Sequence, residues 1–244
     1  MDGNDVRPPL PEAFVERTGE QLGEELLSFL ASLEGKPIRG LRMNPFRAGW
    51  ETPFRDADRK VAWCGEGWEL PAESRAGVTA AHEAGAFYLQ EPCAMLPGAV
   101  MGVRPGERIL DLCAAPGGKS CFLSELMQDT GRVQAWDVHP HRKELISAQA
   151  ARLHLDNIRP INRDATVFRE DSVKTKDAVL LDAPCSGLGN LGDKPDLRLR
   201  LSEASVAEMT ALQRKLLDTC APYVKPGGVL VYSTCSLLKA RTPP

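Results

Sequence analysis

Two cysteines close short apolar runs, Cys185 in DAPCSGLG and Cys235 in YSTCS. A thiolate is a strong nucleophile, and its pKa falls beside cationic groups or a helix N-terminus. If the strands they follow are neighbours, both thiols lie at one rim of the same pocket. A third stretch, RILDLCAAPGGKS at 108–120, runs from apolar residues through an Ala-Pro-Gly-Gly turn into a helical pattern. That turn leaves bare backbone N–H groups at a helix N-terminus, where a polar or anionic group of a cofactor can sit. The other cysteines singled out, Cys64, Cys93, Cys121 and Cys220, read as small buried hydrophobes. His82, His139, His141 and His154 lack metal-ligand spacing, so no metal is expected, and HPH at 139–141 reads as a surface turn.

Groups of this kind need a scaffold that brings them to one edge. Apolar runs predict strands at Ile109–Leu112, Arg132–Val138, Ile158–Asn162, Asp177–Asp182 and Val229–Ser233. Helical spacing between them predicts helices over Lys119–Gln128, Arg142–Leu153 and Val206–Tyr223. Such alternation implies an α/β fold, an open and mostly parallel sheet with helices on both faces. Upstream, an amphipathic helix is expected over Glu20–Leu33 and a strand over Ile38–Asn44. Residues 45–80 read as loops with short strands, among them VAWC at 61–64. Trp50, Trp63 and Trp68 are either core anchors of a small domain or stacking platforms for bases. Residues 81–100 lead into a helix after Pro92.

Ligands of open α/β sheets sit beyond the carboxyl ends of the strands. Those ends carry Cys113–Lys119, Asp137, Asp164, Asp182 and Thr234-Cys235, whereas the strand interiors are expected to be apolar. The GGKS ending suggests a phosphate loop, but Cys113 stands where its first Gly belongs, and no GxGxxG is present. S-adenosylmethionine fits better, because it needs only a close backbone approach and an acid about 20 positions on for its ribose. Asp137 stands at that distance, and Asp164 can accept from an adenine amino group.

A net charge of −3 argues against broad, non-specific nucleic-acid binding and leaves room for a local basic groove. Seven cysteines without a CxxC pair fit a reducing compartment. The N-terminus does not read as a signal peptide, and no apolar run reaches the roughly 18 residues of a membrane helix. A cytoplasmic location, no membrane partner and a monomer are expected.

LDLCAAPGGKS, DAPCSGLG and YSTCS, in that order, resemble the Sun/Fmu-type (Nop/Sun) RNA cytosine-5 methyltransferases, and HEAGAFYLQEP and LRMN are similar to the same family's lead-in. The resemblance implies a small α+β RNA-binding-like domain over 1–80 and a Rossmann-like methyltransferase domain over 81–244. It further implies S-adenosylmethionine as cofactor, held by Cys113, Ala114, Ala115, Pro116, Gly117, Gly118, Lys119, Asp137, Arg142, Asp164 and Asp182, and an unpaired or flipped-out cytosine, in ribosomal RNA, as target. By the same resemblance Cys235 is the nucleophile, Cys185 assists product release and Asp182 steadies the cytosine ring. Lys119 either lowers a thiol pKa or stands at an exposed helix start. Lys194, Arg198 and Arg200 either meet RNA phosphates or form a solvated face. After TCS the family continues into an acidic helix and two closing strands, whereas this sequence reads LLKARTPP. The expectation is a C-terminally incomplete member whose last strand has a bare edge. Two alternatives stay open: a catalytically inactive member that binds only cofactor or RNA, and an enzyme directed at tRNA.

Overall fold

The computed structural model describes residues 8–35, 38–47, 59–187, 189, 191, 195–199 and 202–236, so Trp50, Lys194 and Arg200 lie outside the described residues. The chain divides into two compact units, one from Met1–Pro37, Pro184–Arg214 and Thr234–Pro244, the other from Ile38–Ala183 and Lys215–Ser233.

The larger unit is organised around β4 (Arg108–Leu112), in which Ile109, Leu110 and Leu112 are fully buried. Such a run suits a central strand covered on both faces. Around it stand β5 (Arg132–Asp137), β6 (Ile158–Asn162), β7 (Lys176–Asp182) and β8 (Val224–Ser233), in the order β6-β5-β4-β7-β8 with every pairing parallel. The expected Rossmann-like α/β sheet is therefore present. The chain winds outward from β4 to β6 and then returns to β7 on the other side of β4. That reversal makes the β4/β7 seam the topological switch point, where neighbouring crossovers diverge and leave a crevice. Helices α5 (Gly118–Leu126) and α6 (Pro140–Leu153) supply Cys121, Leu123, Ile146, Ala150 and Leu153 to the core against β4, β5 and β6. Helix α7 (Glu203–Cys220) precedes β8.

A second, antiparallel sheet in the same unit has the order β2-β1-β3, from β1 (Arg39–Met43), β2 (Gly67–Leu70) and β3 (Phe87–Leu89). Leu41, Met43, Leu70, Ala76, Ala81 and Phe87 form its core, with Trp68 packed against them. Short α3 (Ala80–Glu83) precedes β3, and α4 (Pro92–Val100) follows it with Pro92 in its first turn, as the sequence predicts.

Several expectations need correction. The N-terminal helix is two helices, α1 (Glu12–Leu22) and α2 (Leu26–Leu33), because Gly23 adopts φ +54° and breaks the run. VAWC at 61–64 is a turn: Cys64 N–H donates to the Val61 carbonyl, and the strand comes later as β2. Trp63 is not a core anchor, since it is 44% exposed and donates Nε1–H to the Pro92 carbonyl at 2.8 Å. Cys93 is exposed, beside the Glu91 carboxylate, because it opens α4 on its solvent side. Strand β8 begins earlier than predicted. It carries Pro226-Gly-Gly inside it at a register shift, and a Cβ on Gly228 would lie 2.6 Å from the Asp177 carbonyl. Strand interiors are not uniformly apolar either: β4 contains Asp111, fully buried.

In the smaller unit, Phe14, Leu33 and Leu191 pack with Leu10, Phe29 and Leu197. Arg198 is 5% exposed there, with Nη1 donating to the Pro8 carbonyl at 3.0 Å and Nη2 paired to Glu34 at 2.9 Å. It is neither a solvated cation nor a free phosphate ligand. Its charge ties 195–199 to the N-terminal segment.

Candidate active site

The loop between β4 and α5 is shaped by backbone demands. Cys113 takes φ +58°, and Gly117 takes φ +108°. A Cβ on Gly117 would lie 3.2 Å from Ile146 Cα, and one on Gly118 would lie 2.8 Å from the Tyr88 ring. Glycine at both positions lets the loop pass between α6 and β3 and aim the first turn of α5 at the crevice. A cavity of about 280 Å³ opens there, lined by Cys113, Ala114, Ala115, Pro116, Gly118, Lys119, Asp111 and Asp182, with Tyr88–Glu91 and Ala94 opposite. Seven of the residues expected from the sequence thus meet in one place.

Its polar wall is a relay of acids and one cation. Lys119 Nζ pairs with Asp182 Oδ2 at 2.7 Å, and Ser233 Oγ donates to Asp182 Oδ1 at 2.6 Å. Lys119 is therefore neither a solvated helix-start lysine nor a free cation: it neutralises Asp182. Asp111 accepts from Ser120 Oγ through Oδ2, while its buried Oδ1 has no hydrogen-bond partner among the described residues. Burial raises the Asp111 carboxyl to about 7, with Asp182 adding to the rise while Ser120 and Lys119 oppose it. Burial, with Asp111 and Asp137 nearby, likewise pushes the Cys113 thiol up to about 12, so Cys113 is not a nucleophile at neutral pH.

Asp137 is buried at the end of β5, accepting from His139 N–H at 3.0 Å and Ala115 N–H at 3.4 Å. It joins the cofactor loop to the start of α6, with Arg142 Nη1 4.0 Å from Oδ2. Asp164 stands apart: exposed after β6, it caps its own turn by accepting from Thr166 N–H at 2.8 Å, which holds its carboxyl below the ordinary range.

Cys185 and Cys235 meet. Their Cα atoms are 6.1 Å apart and their sulfurs are joined in a disulfide, where the sequence reading expected reduced thiols. Parallel pairing of β7 with β8, in register Asp182↔Ser233, carries the two short segments that follow towards one another. Gly187 N–H donates to Cys185 Sγ at 3.2 Å, and Gly189 N–H donates to the Cys235 carbonyl. A Cβ on Gly189 would lie 2.5 Å from that carbonyl oxygen, so the Ser-Gly-Leu-Gly run permits the close approach.

Sequence reasoning missed Asp111, Ser120 and the Tyr88–Glu91 wall. An acid inside an otherwise apolar strand, the Asp of ILDL, was the signal for the first. Another buried polar centre supports that wall. Arg42 of β1 forks onto Glu125 of α5 at 2.5 and 3.1 Å and donates to Gln90 Oε1, with its guanidinium 4.5 Å from the Phe122 ring centroid.

The profile described as 16S rRNA methyltransferase RsmB/F matches residues 99–242, more than half of the chain. The chain belongs to the RsmB/F family. A second profile, the N-terminal domain of 16S rRNA methyltransferase RsmF, matches residues 10–92. Among curated relatives of this family, "Ribosomal RNA small subunit methyltransferase F" of Serratia proteamaculans is 34% identical over 241 residues, and that of Escherichia coli K12 is 33% identical over 242. In both cases the match takes in 93% of this chain and 50% of the relative, so the chain spans about half their length. A methyltransferase homologue from Pyrococcus horikoshii superposes with TM-score 0.79 at 29% identity, over 93% of this chain and 74% of that one. NSun6 of the same organism, solved with SFG, superposes with TM-score 0.81 at 20% identity, over 93% and 83% respectively, and shares the fold.

The cavity suits the cofactor that this RsmB/F membership carries with it. An orphaned, buried carboxylate oxygen on Asp111 suits a cationic or N–H-bearing group, and S-adenosylmethionine has both an ammonium and a sulfonium. No helix among the described residues is long and apolar enough to cross a membrane, and no group of three metal-ligating side chains occurs among them.

Proposed function

We propose that this chain is an S-adenosylmethionine-dependent RNA methyltransferase that forms 5-methylcytosine in ribosomal RNA through a covalent Cys235–cytosine adduct. The observation that carries the reading is the meeting of Cys185 and Cys235 behind adjacent parallel strands. Two cysteines brought this close can act on the same carbon–carbon bond of a pyrimidine once they are reduced. The cofactor supplies an electrophilic methyl group. Asp111, the 113–119 loop and Asp182 would hold its amino-acid part, and Asp137, Arg142 and Asp164 its adenosyl part.

Carbon 5 of cytosine is too poor a nucleophile to take that methyl unaided. Addition of the Cys235 thiolate to carbon 6 would form a C–S bond at the expense of the 5,6 double bond, whose electrons make carbon 5 nucleophilic towards the methyl that the bound cofactor would supply as it leaves as a neutral thioether. Asp182, held by Lys119 and Ser233, would accept a hydrogen bond from the ring nitrogen once that nitrogen is protonated, and the proton there offsets the charge that the addition places on the ring. Loss of the carbon 5 proton to a base returns the electron pair to the ring and expels the Cys235 thiolate, with Cys185 acting in general acid–base catalysis. The target cytosine is unpaired or flipped out. We further propose residues 1–80 as an RNA-binding-like domain and 81–244 as the methyltransferase domain, in a cytoplasmic monomer that uses no metal.

Incubation of the reduced protein with an RNA containing 5-azacytidine tests this, because a ring nitrogen at position 5 blocks the final elimination. The expected result is a denaturant-resistant protein–RNA band with wild type and Cys185→Ala and none with Cys235→Ala. Cofactor binding without a band from reduced wild type would favour a second reading, a family member that binds cofactor or RNA only. The disulfide is the observation on that side, since neither of its sulfurs is a nucleophile.

A further inference from the structure

The three-stranded sheet carries a cavity of its own. It encloses about 520 Å³ and is lined by Arg39, Leu70, Ser74, Arg75, Val78 and Leu89, with Gln90 and Glu91 at one side. Leu89, Gln90 and Glu91 also line the cavity over the β4–α5 loop, so the two spaces share a rim. Two exposed cations, Arg39 and Arg75, stand on the wall of the larger cavity. The Arg39 guanidinium lies 3.5 Å from the Ser74 carbonyl, and neither Arg39 nor Arg75 has a carboxylate partner among the described residues. Apolar side chains share that wall, with Val78 77% and Leu89 37% exposed.

Exposed aliphatic side chains beside uncommitted guanidinium groups suit a ligand with an anionic end and a flat apolar face. Nucleotides of a single strand have that form: arginine forks take the phosphate and the apolar wall takes the base. Charge complementarity puts the phosphate at Arg39 and Arg75 and the base against Val78 and Leu89. We propose that this cavity holds one nucleotide of the RNA substrate, next to the cytosine that is methylated. The inference rests on the RNA reading above and adds the place where the flanking strand is gripped.

The test uses the full chain and a dye-labelled single-stranded oligoribonucleotide, with binding read by fluorescence anisotropy across a salt series. Affinity for S-adenosylmethionine is read separately by calorimetry. Arg39→Gln with Arg75→Gln is expected to lower RNA affinity roughly tenfold and to reduce the slope of log K against log salt by about 1.4, as expected for two lost phosphate contacts on a single strand. Cofactor affinity is expected to stay unchanged, which shows that the variant is folded. Val78→Asp is expected to weaken RNA binding comparably, and Arg39→Lys with Arg75→Lys to keep most of it. Unchanged RNA affinity and salt slope in the glutamine variant, beside a wild type that binds, would overturn the inference and leave the methyltransferase reading standing. No RNA binding by wild type would overturn both. Polyglutamate competing as well as RNA would mark a general anion site and overturn the inference alone.

Discussion

At the residue scale the unexpected feature is Asp111, an acid sealed into the central strand at the floor of the cavity. Its raised pKa is a statement about stability. The folded state holds the proton up to about pH 7, whereas an unfolded chain releases it near 3.8. Its contribution to folding is therefore full below about pH 4 and is lost progressively as pH rises towards 7. Asp111→Asn should flatten that part of the profile, and urea midpoints measured at pH 5 and pH 7.5 check it. Wild type is expected to lose stability between the two relative to the variant. A variant that keeps the full wild-type difference would assign the pH dependence to another group. Lys119 shows how a sequence reading misplaces a charge. Its position at a helix start was visible, but its commitment to Asp182 depends on two strands that are adjacent only in the fold.

At the scale of elements, the sheet was the legible part. The runs in ILDL, VQAW and AVLL are long enough and apolar enough that burial on both faces was the simplest reading, and all three are strands. The cofactor loop was legible for the same reason, since Ala-Pro-Gly-Gly can do little but turn. What read through least was the small sheet, of which only β1, inside the strand expected over Ile38–Asn44, was legible. Its strands are short and half polar, so their order depends on cross-strand contacts rather than on periodicity. Its link to α5 is a buried ion pair that no local pattern announces. Burial opposes the Arg42 charge, but Glu125 beside it more than compensates and raises the Arg42 pKa. Removing one partner strands the other, so Arg42→Ala should cost roughly 3–5 kcal/mol in chemical denaturation. Arg42→Met combined with Glu125→Met should recover most of that loss. A double variant no better than the single would show that packing of the guanidinium on Phe122, and not the stranded charge, is what is lost.

At the scale of the whole molecule, the RsmB/F membership draws on both ends of the chain, since the two family profiles between them match residues 10–92 and 99–242. The winding of the main sheet has a kinetic consequence. From β4 to β6 each strand pairs with the one before it, across a short crossover. Strand β7 instead must find β4 after two intervening strands, and the Arg108 N–H to Asp177 carboxylate bond at that seam joins residues 69 apart in sequence. Closing a longer loop costs more chain entropy, by only about 0.6 kcal/mol for each doubling, but that cost is met before any contact compensates for it. The β4/β7 pairing is thus expected late in folding, and the cavity lies on that seam. Stopped-flow refolding should show helical ellipticity recovering before the ability to bind S-adenosylmethionine, with the lag lengthened by substitutions at the seam such as Asp177→Ala. Simultaneous recovery of the two signals would place the seam in the folding nucleus. With the seam closing late, ligand competence arrives only when β7 meets β4, so a chain caught before that step is a helical protein with nowhere to hold its cofactor.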